Sequence, residues 1–280
     1  MQQIQRPTLI LFLTTCGLIV VSTLIGQWLP GTTIAYSYRA TNHRDLYLGD
    51  LRYRISVKLT TNPANDINPT WEPTGQRLAF VSDRERVGLF GLYVMDIYTR
   101  EITAVRPNAT ALQPDWSPDG AWILYSDNGG SARSGRFLAQ VVRPDGSEHR
   151  VLADGYRYDT LTPVWNPAGD TVLFVTSNAG TDNSLQRLDL ATGAINPVEG
   201  TRNAAYPTWG ADGTIWYSVG GVLYRRVDDL TTPYDVTGFD KDARDERLVF
   251  VGPDSGLWYG EPNSGWQFSG FYGQDPVWQP

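Results

Sequence analysis

The tripeptide Pro-x-Trp recurs five times in this chain: Pro69-Thr70-Trp71, Pro114-Asp115-Trp116, Pro163-Val164-Trp165, Pro207-Thr208-Trp209 and Pro276-Val277-Trp278. The Trp residues are spaced by 45, 49, 44 and 69 positions. A period of this size means one supersecondary unit repeated, each copy too small to bury its apolar face alone. The last interval has room for one divergent unit, which the sequence places near Phe239.

Each of the first four Trp residues is followed by a turn: Glu72-Pro73-Thr74-Gly75, Ser117-Pro118-Asp119-Gly120, Asn166-Pro167-Ala168-Gly169 and Gly210-Ala211-Asp212-Gly213. Pro presets φ early in such a turn and Gly takes its left-handed position. Alternating β-branched and aromatic residues follow, as in RLAFVSD from Arg77, WILYSDN from Trp122, TVLFVTS from Thr171 and TIWYSVG from Thr214. This is the pattern of half-buried strands. RLVFVGP from Arg247 and TIAYSYR from Thr33 match them. A third strand recurs in forms such as LYLGD from Leu46 and LYVMD from Leu92, and a fourth in forms such as ISVKLT and EITAVR. Four short antiparallel strands repeated every 40–45 residues are the signature of a propeller blade. The first unit lacks its first strand, and the carboxy terminus carries only a first strand. Joining the two completes one blade and removes an open sheet edge. An alternative register begins the first blade at Trp28-Leu29-Pro30-Gly31, but it leaves Trp278 without a blade. The fold expected is all-β: a six-bladed β-propeller of four-stranded blades preceded by one N-terminal transmembrane helix.

The helix is read from the 32 residues between Arg6 and Arg39, which carry no charged side chain. Within them, residues 8–29 read TLILFLTTCGLIVVSTLIGQWL, long enough to span a bilayer. Trp28 sits at the place of an interfacial anchor. A signal peptide has a shorter apolar core and a small-x-small cleavage site. The one nearby site, Thr33-Ile34-Ala35, falls inside an expected strand. The organisation expected is therefore a short cytoplasmic tail (1–7), a transmembrane signal anchor (8–29) and a propeller (30–280) closed by strand 275–280. Arg6 and the terminal amine on one flank, with Arg39 and Arg44 on the other, leave the positive-inside count undecided. A short tail before a long apolar run behaves as a signal anchor, which puts the propeller on the extracytoplasmic (periplasmic or outer) side. Strand TIAYSYR begins so soon after the span that the three intervening residues reach no more than about 11 Å. Leu13-Thr14-Thr15-Cys16 is lipobox-like, which leaves a lipidated Cys16 as the rival to a buried small residue.

The unit P-x-W-S-P-D-G-x-x-I-x-Y-S at Pro114–Ser126, the third strand LYVMD and the strand end Lys58-Leu59-Thr60 resemble TolB-like (WD-like) propellers over residues 33–280. The Gly-His and Trp-Asp marks of ordinary WD repeats are absent. Asp240–Glu246 departs from the family pattern in having no Pro or Gly turn. The resemblance implies six blades and use in protein contact, often outside the cytoplasm. The amino-terminal domain that TolB carries is missing here, and a membrane segment stands in its place, so a Tol-system role does not transfer.

Composition narrows the chemistry. Net charge is −7, which disfavours a nucleic-acid groove. One cysteine and two histidines leave no disulfide, CxxC zinc site or haem-type centre to build. No Gly-x-Ser-x-Gly elbow occurs. The expectation is no enzyme and no cofactor. The alternative is a ligand- or calcium-binding sensor propeller, with Asn65, Asp66, Asn68, Asp159 and Asp275 as the candidates for a lactonase-like calcium site, or else a propeller hydrolase. The Trp residues 71, 116, 165, 209 and 278 are read as structural repeats. Loops from each fourth strand to the next first strand should open on one face, at Thr61–Asn68, Pro107–Gln113, Gly155–Thr162, Gly200–Tyr206 and Phe271–Asp275. They offer Arg157, Tyr158, Arg202, Tyr206 and Tyr272 as a partner-binding face, Tyr and Arg being the residue types that most often anchor interfaces. The function expected is protein–protein interaction as an accessory or scaffolding subunit of a membrane complex. Its partners would be other subunits or extracytoplasmic proteins, with residues 8–29 holding the membrane and no nucleic acid involved.

Overall fold

The structure, a computed structural model, describes residues 32–128, 136–152, 158–178, 181–227, 230–237, 239–244, 247–252, 254–261 and 265–280. The expected tail, the span at 8–29 and Cys16 lie outside the described residues, as does Arg157. Among the described residues no helix is long and apolar enough to cross a membrane.

Every regular element among the described residues is a strand. Blade 1 begins with β1 (Thr33–Tyr38), β2 (Asp45–Asp50) and β3 (Ile55–Lys58). Blade 2 is β4 (Asp66–Trp71), β5 (Arg77–Arg86), β6 (Leu89–Asp96) and β7 (Ile102–Arg106). Blade 3 is β8 (Leu112–Trp116), β9 (Ile123–Asp127), β10 (Leu138–Val142) and β11 (Arg150–Val151). Blade 4 is β12 (Asp159–Trp165), β13 (Thr171–Asn178), β14 (Thr181–Asp189) and β15 (Ile195–Pro197). Blade 5 is β16 (Ala205–Trp209), β17 (Ile215–Val219), β18 (Val222–Val227) and β19 (Leu230–Thr237). Blade 6 is β20 (Phe239–Arg244), β21 (Arg247–Val251), β22 (Gly256–Glu261) and β23 (Gly265–Tyr272), and the chain ends on β24 (Gln274–Trp278).

Six four-stranded antiparallel sheets result, and the first has the order β24-β1-β2-β3. β24 pairs with β1 through Ile34 opposite Trp278 and Ala35 opposite Val277. The inner strands touch in a ring: β24 meets β4, β4 meets β8, β8 meets β12, β12 meets β16, β16 meets β20, and β20 returns to β24. No inner edge is left without a neighbouring blade, the condition that keeps a propeller from aggregating through its edges.

The core lies between blades. On β5, Leu78 and Phe80 pack towards Ala35, Leu46 and Leu48 of blade 1. Ala79 and Val81, pointing the other way, pack towards Trp116, Ile123 and Tyr125 of blade 3. Successive side chains alternate faces, so a strand gripped from both sides must be apolar at every position. This is why the second strands read as unbroken apolar runs. The same arrangement joins blades 3 and 4, 4 and 5, 5 and 6, and 6 and 1.

The tight turns explain the Pro-x-Gly spacing. Gly75 and Gly120 adopt φ of +70° and +69°, and their amides donate to Glu72 O and Ser117 O at 2.8 Å. The five expected loops are all shorter than the sequence suggests. β23 runs to Tyr272 and β24 starts at Gln274, so Gly273 alone connects them. A Cβ at Gly273 would stand 2.6 Å from the Ser37 carbonyl, so only glycine fits this crossing. Asn68, Gln113, Thr162, Tyr206 and Asp275 all belong to inner strands rather than to loops.

Candidate functional site: the axial channel mouth

The residue before each Pro-x-Trp is left-handed: Asn68 (φ 49°), Gln113 (48°), Thr162 (48°), Tyr206 (51°) and Asp275 (54°). At each of these places the pairing with the second strand shifts register. Ile67 faces Val81 and Thr70 faces Ala79, so Asn68 and Pro69 together oppose the single residue Phe80. This is a β-bulge, two residues against one. The proline is accounted for by it: Pro has no N–H to give a ladder, so inside sheets it belongs at edges and bulges. Pro also bars the preceding residue from the right-handed helical region. In blade 6 the register shift falls at Asp240.

Non-glycine residues held left-handed are strained by about 1–3 kcal/mol each, and such strain clusters at functional sites. Here five symmetric bulges re-aim five side chains at the axis. Asn68, Gln113, Thr162, Tyr206 and Asp275 all line a cavity of about 490 Å³ around it, with the five Pro-x-Trp prolines beneath them. Asp275 is the best anchored. Its Oδ1 accepts from Asn68 Nδ2 at 2.7 Å. Its Oδ2 accepts from the Asn68 amide at 3.2 Å and from the Ser37 hydroxyl at 2.7 Å. One carboxylate thereby ties both ends of the chain to blade 2. Asp115 does the same between blades 3 and 4, accepting from the Trp165 amide at 2.7 Å.

Of the five residues expected to form a partner-binding face, Tyr206 lines the cavity and is exposed. Arg202 is exposed and paired with Asp182. Tyr158 is half-buried. Tyr272 is exposed at the top of blade 6, its ring 5.3 Å edge-on from Phe268. The residues weighed for calcium separate. Asn68 and Asp275 face the channel. Asn65 is bonded to Asp83 and the Arg44 amide, Asp66 is buried against Arg84 at 2.9 Å, and Asp159 accepts from the Phe137 amide at 2.8 Å. Among the described residues no group of three or more His, Cys, Asp or Glu stands close enough to hold a metal ion.

Trp71, Trp116 and Trp278 are buried between blades, and Trp165 and Trp209 are half-buried at the same position. An arginine of the preceding blade lies over three of these rings: Arg77 over Trp116 at 5.2 Å, Arg187 over Trp209 at 5.6 Å and Arg247 over Trp278 at 5.2 Å. Each such contact contributes about 0.5–2 kcal/mol. Sequence reasoning had no direct signal for the bulges. The residue types Asn68 and Asp275 tolerate left-handed backbone, but Gln113, Thr162 and Tyr206 do not announce it.

The face on which the chain arrives is fixed by hydrogen bonds. Leu51 N donates to Thr32 O and Gln279 N to Thr33 O, both at 2.9 Å, and Gln279 Nε2 reaches Gly75 O at 3.2 Å. Thr32 therefore lies on the tight-turn face, beside the turn of blade 2. The bulges lie at the opposite, long-loop face.

Comparison with known proteins agrees with this architecture. The family model described as TolB beta propeller domain matches residues 23–211. An uncharacterized protein of Agrobacterium fabrum is 31% identical over 157 residues, 51% of this chain and 50% of that protein. A TolB homolog of Chlorobium luteolum is 29% identical over 163 residues, 58% of this chain and 35% of the relative. The chain thus spans half or less of the length of these relatives. The crystal structure of TolB from Acinetobacter baumannii superposes with a TM-score of 0.73 at 18% identity, covering 93% of this chain and 70% of that one. At that identity the likeness is one of fold. The matched family model, over more than half of the sequence, shows that this chain belongs to the TolB beta propeller domain family.

Proposed function

We propose that this protein is a single-pass membrane protein in which residues 8–29 span the bilayer. The propeller stands on the extracytoplasmic side and binds a protein partner at its long-loop face, as an accessory subunit of a membrane complex. It is not an enzyme. The observation that carries this reading is the placement of Thr32 on the tight-turn face. An anchor attached there turns the five-bulge channel mouth, with Tyr206 and Tyr272, away from the bilayer and leaves it open. Large Tyr side chains beside a concave polar mouth fit the anchors of a protein interface.

The test is the double variant Tyr206→Ala with Tyr272→Ala in the full chain, purified from membranes. The reading expects an unchanged melting temperature and loss of the protein that co-purifies with the parent chain. Retention of that protein by the double variant, with loss on exchanging residues 8–29 for an unrelated span, would move recognition into the membrane. Melting that depends on calcium, with no co-purifying protein, would favour a ligand sensor.

A further inference from the structure

The third-to-fourth-strand hairpins project from the tight-turn face, and their tips differ in sequence around the ring. Blade 1 carries Arg52-Tyr53-Arg54, blade 2 Tyr98-Thr99-Arg100, blade 3 Pro144-Asp145-Gly146 and blade 4 Ala191-Thr192-Gly193. Charge therefore passes from basic to acidic or neutral on going from blade 1 to blade 4. Tyr53 is 62% exposed and Tyr98 51%. The Arg52 guanidinium lies 4.2 Å over the Tyr53 ring, with its nearest carboxylate, Asp50, at 4.0 Å. Asp50 itself is buried, its Oδ1 accepting from the Arg52 and Tyr53 amides at 2.9 Å. Arg54 is exposed. Arg100 is turned inward to the carbonyls of Lys58 and Leu59 and takes no part. Glu101 is the exposed carboxylate next to the blade 2 tip.

Beside the blade 1 tip a cleft of about 390 Å³ opens between blades 6 and 1, walled by Leu51, Tyr259 and Trp278 and edged by Arg52, Arg247 and Glu261. Thr32 lines the same cleft. The chain that leads to the proposed span therefore departs from this edge of the ring and not from its centre. Only Pro30 and Gly31 separate Leu29 from Thr32, three residue steps that reach no more than about 11 Å.

We propose that the Arg52-Tyr53-Arg54 tip and the adjoining cleft seat on the anionic headgroups of the bilayer that holds residues 8–29, so that the propeller leans with blade 1 down. This rests on the anchor reading above. Tyr is the residue type that settles at headgroup depth, and exposed Arg is drawn to an anionic leaflet within a Debye length. Blades 3 and 4, with Asp145 and Asp189 at their hairpins, are repelled by the same surface. Arg52 and Arg54 thus act as positioning residues for the propeller, setting the tilt of the channel mouth above the membrane.

The experiment uses the full chain with Cys16→Ser, placed in nanodiscs of phosphatidylcholine alone or with one quarter phosphatidylglycerol. A fluorophore is attached at Ile55→Cys, beside the blade 1 tip, or at Ala191→Cys, on the blade 4 tip. Quenching by a nitroxide-headgroup lipid is then read. The proposal expects strong quenching at position 55 and weak quenching at 191 in anionic discs. The ratio of blade-1-down to other orientations should fall roughly fivefold for each arginine neutralised in Arg52→Gln and Arg54→Gln. Equal quenching at the two positions, or quenching indifferent to the arginines and to phosphatidylglycerol, overturns the lean while leaving the anchor intact. Release of the chain from discs by an alkaline wash overturns the anchor itself, and the lean with it.

Discussion

On the tight-turn face, Asp119 accepts from the Ser117 hydroxyl at 2.5 Å and the Ala121 amide at 3.0 Å, all within one turn. On the long-loop face, Asp275 accepts from Ser37 and from Asn68, residues more than two hundred positions away. The first face repeats the local pattern: Asp189 caps its own hairpin through Thr192, and Asp212 its own turn through Thr214. The carboxylates of these turns bond mainly within their own turn, while Gln279 to Gly75 and Arg100 to the Lys58 and Leu59 carbonyls make the bonds that cross between blades there. The second face is made of strained bulges whose polar groups reach between blades and into the channel. One repeat thus builds turns whose carboxylates bond locally at one end and bulges whose carboxylates bond across blades at the other; in the proposed function the first end serves attachment and the second recognition.

Three substitutions break this comparison in descending order of effect. Trp278 joins the faces, because β24 runs from the bulge at Asp275 down to the tight-turn side. It is buried at 4% exposure among Ile34, Val249, Val251 and Leu257. Trp278→Ala should cost about 3–5 kcal/mol, a large share of the 5–15 kcal/mol typical of a domain. Denaturant unfolding of the full chain checks it. Asp275→Ala comes next, at about 2 kcal/mol, because it takes the acceptor from the Asn68 amide and the Asn68 side chain near the axis. Asp119→Ala should cost under about 1 kcal/mol, its bonds being local and solvated.

The tight-turn carboxylates also predict a direction with pH. Hydrogen bonds from the Ser117 hydroxyl and then the Ala121 amide hold Asp119 below the usual range. The Thr192 hydroxyl and then its amide do the same for Asp189, and the Thr99 amide leads for Asp96. A folded pKa below the unfolded one gives stability that is full above about pH 4 and lost as pH falls through the folded value. Melting temperature should therefore drop on acidification below about pH 4, and less steeply in Asp119→Ala.

The blade repeat is legible in sequence because three local signals coincide: the Pro-x-Trp, the Gly-closed turn, and an apolar run gripped from both sides. At Asp240–Glu246 the turn signal is missing, yet β20 and β21 still pair, Arg244 opposite Arg247, because RLVFV carries the packing. The candidate site is far less legible. The prolines mark the bulges only once the partner strand's register is known, and Gln113, Thr162 and Tyr206 are held left-handed by tertiary pairing rather than by their own preference. The partition of Asn65, Asp66 and Asp159 away from the axis, and of Asn68 and Asp275 towards it, likewise depends on which residue the bulge turns inward. The strand-end loops are shorter than the sequence suggests because the bulged residues look like loop residues.

The central claim, that the anchor lies on the tight-turn side and the channel mouth looks away from the bilayer, is tested most directly by height above the membrane. Val87, on the β5–β6 tip, belongs to the long-loop side, and Thr99, on the β6–β7 tip, to the tight-turn side. The eight residues of β6 separate them, about 26 Å. With Cys16→Ser, a donor dye placed at Val87→Cys or Thr99→Cys of the full chain in nanodiscs is read by energy transfer to acceptor-labelled lipid. The account predicts markedly stronger transfer from position 99 than from position 87. Equal transfer from the two, or stronger transfer from position 87, would contradict it.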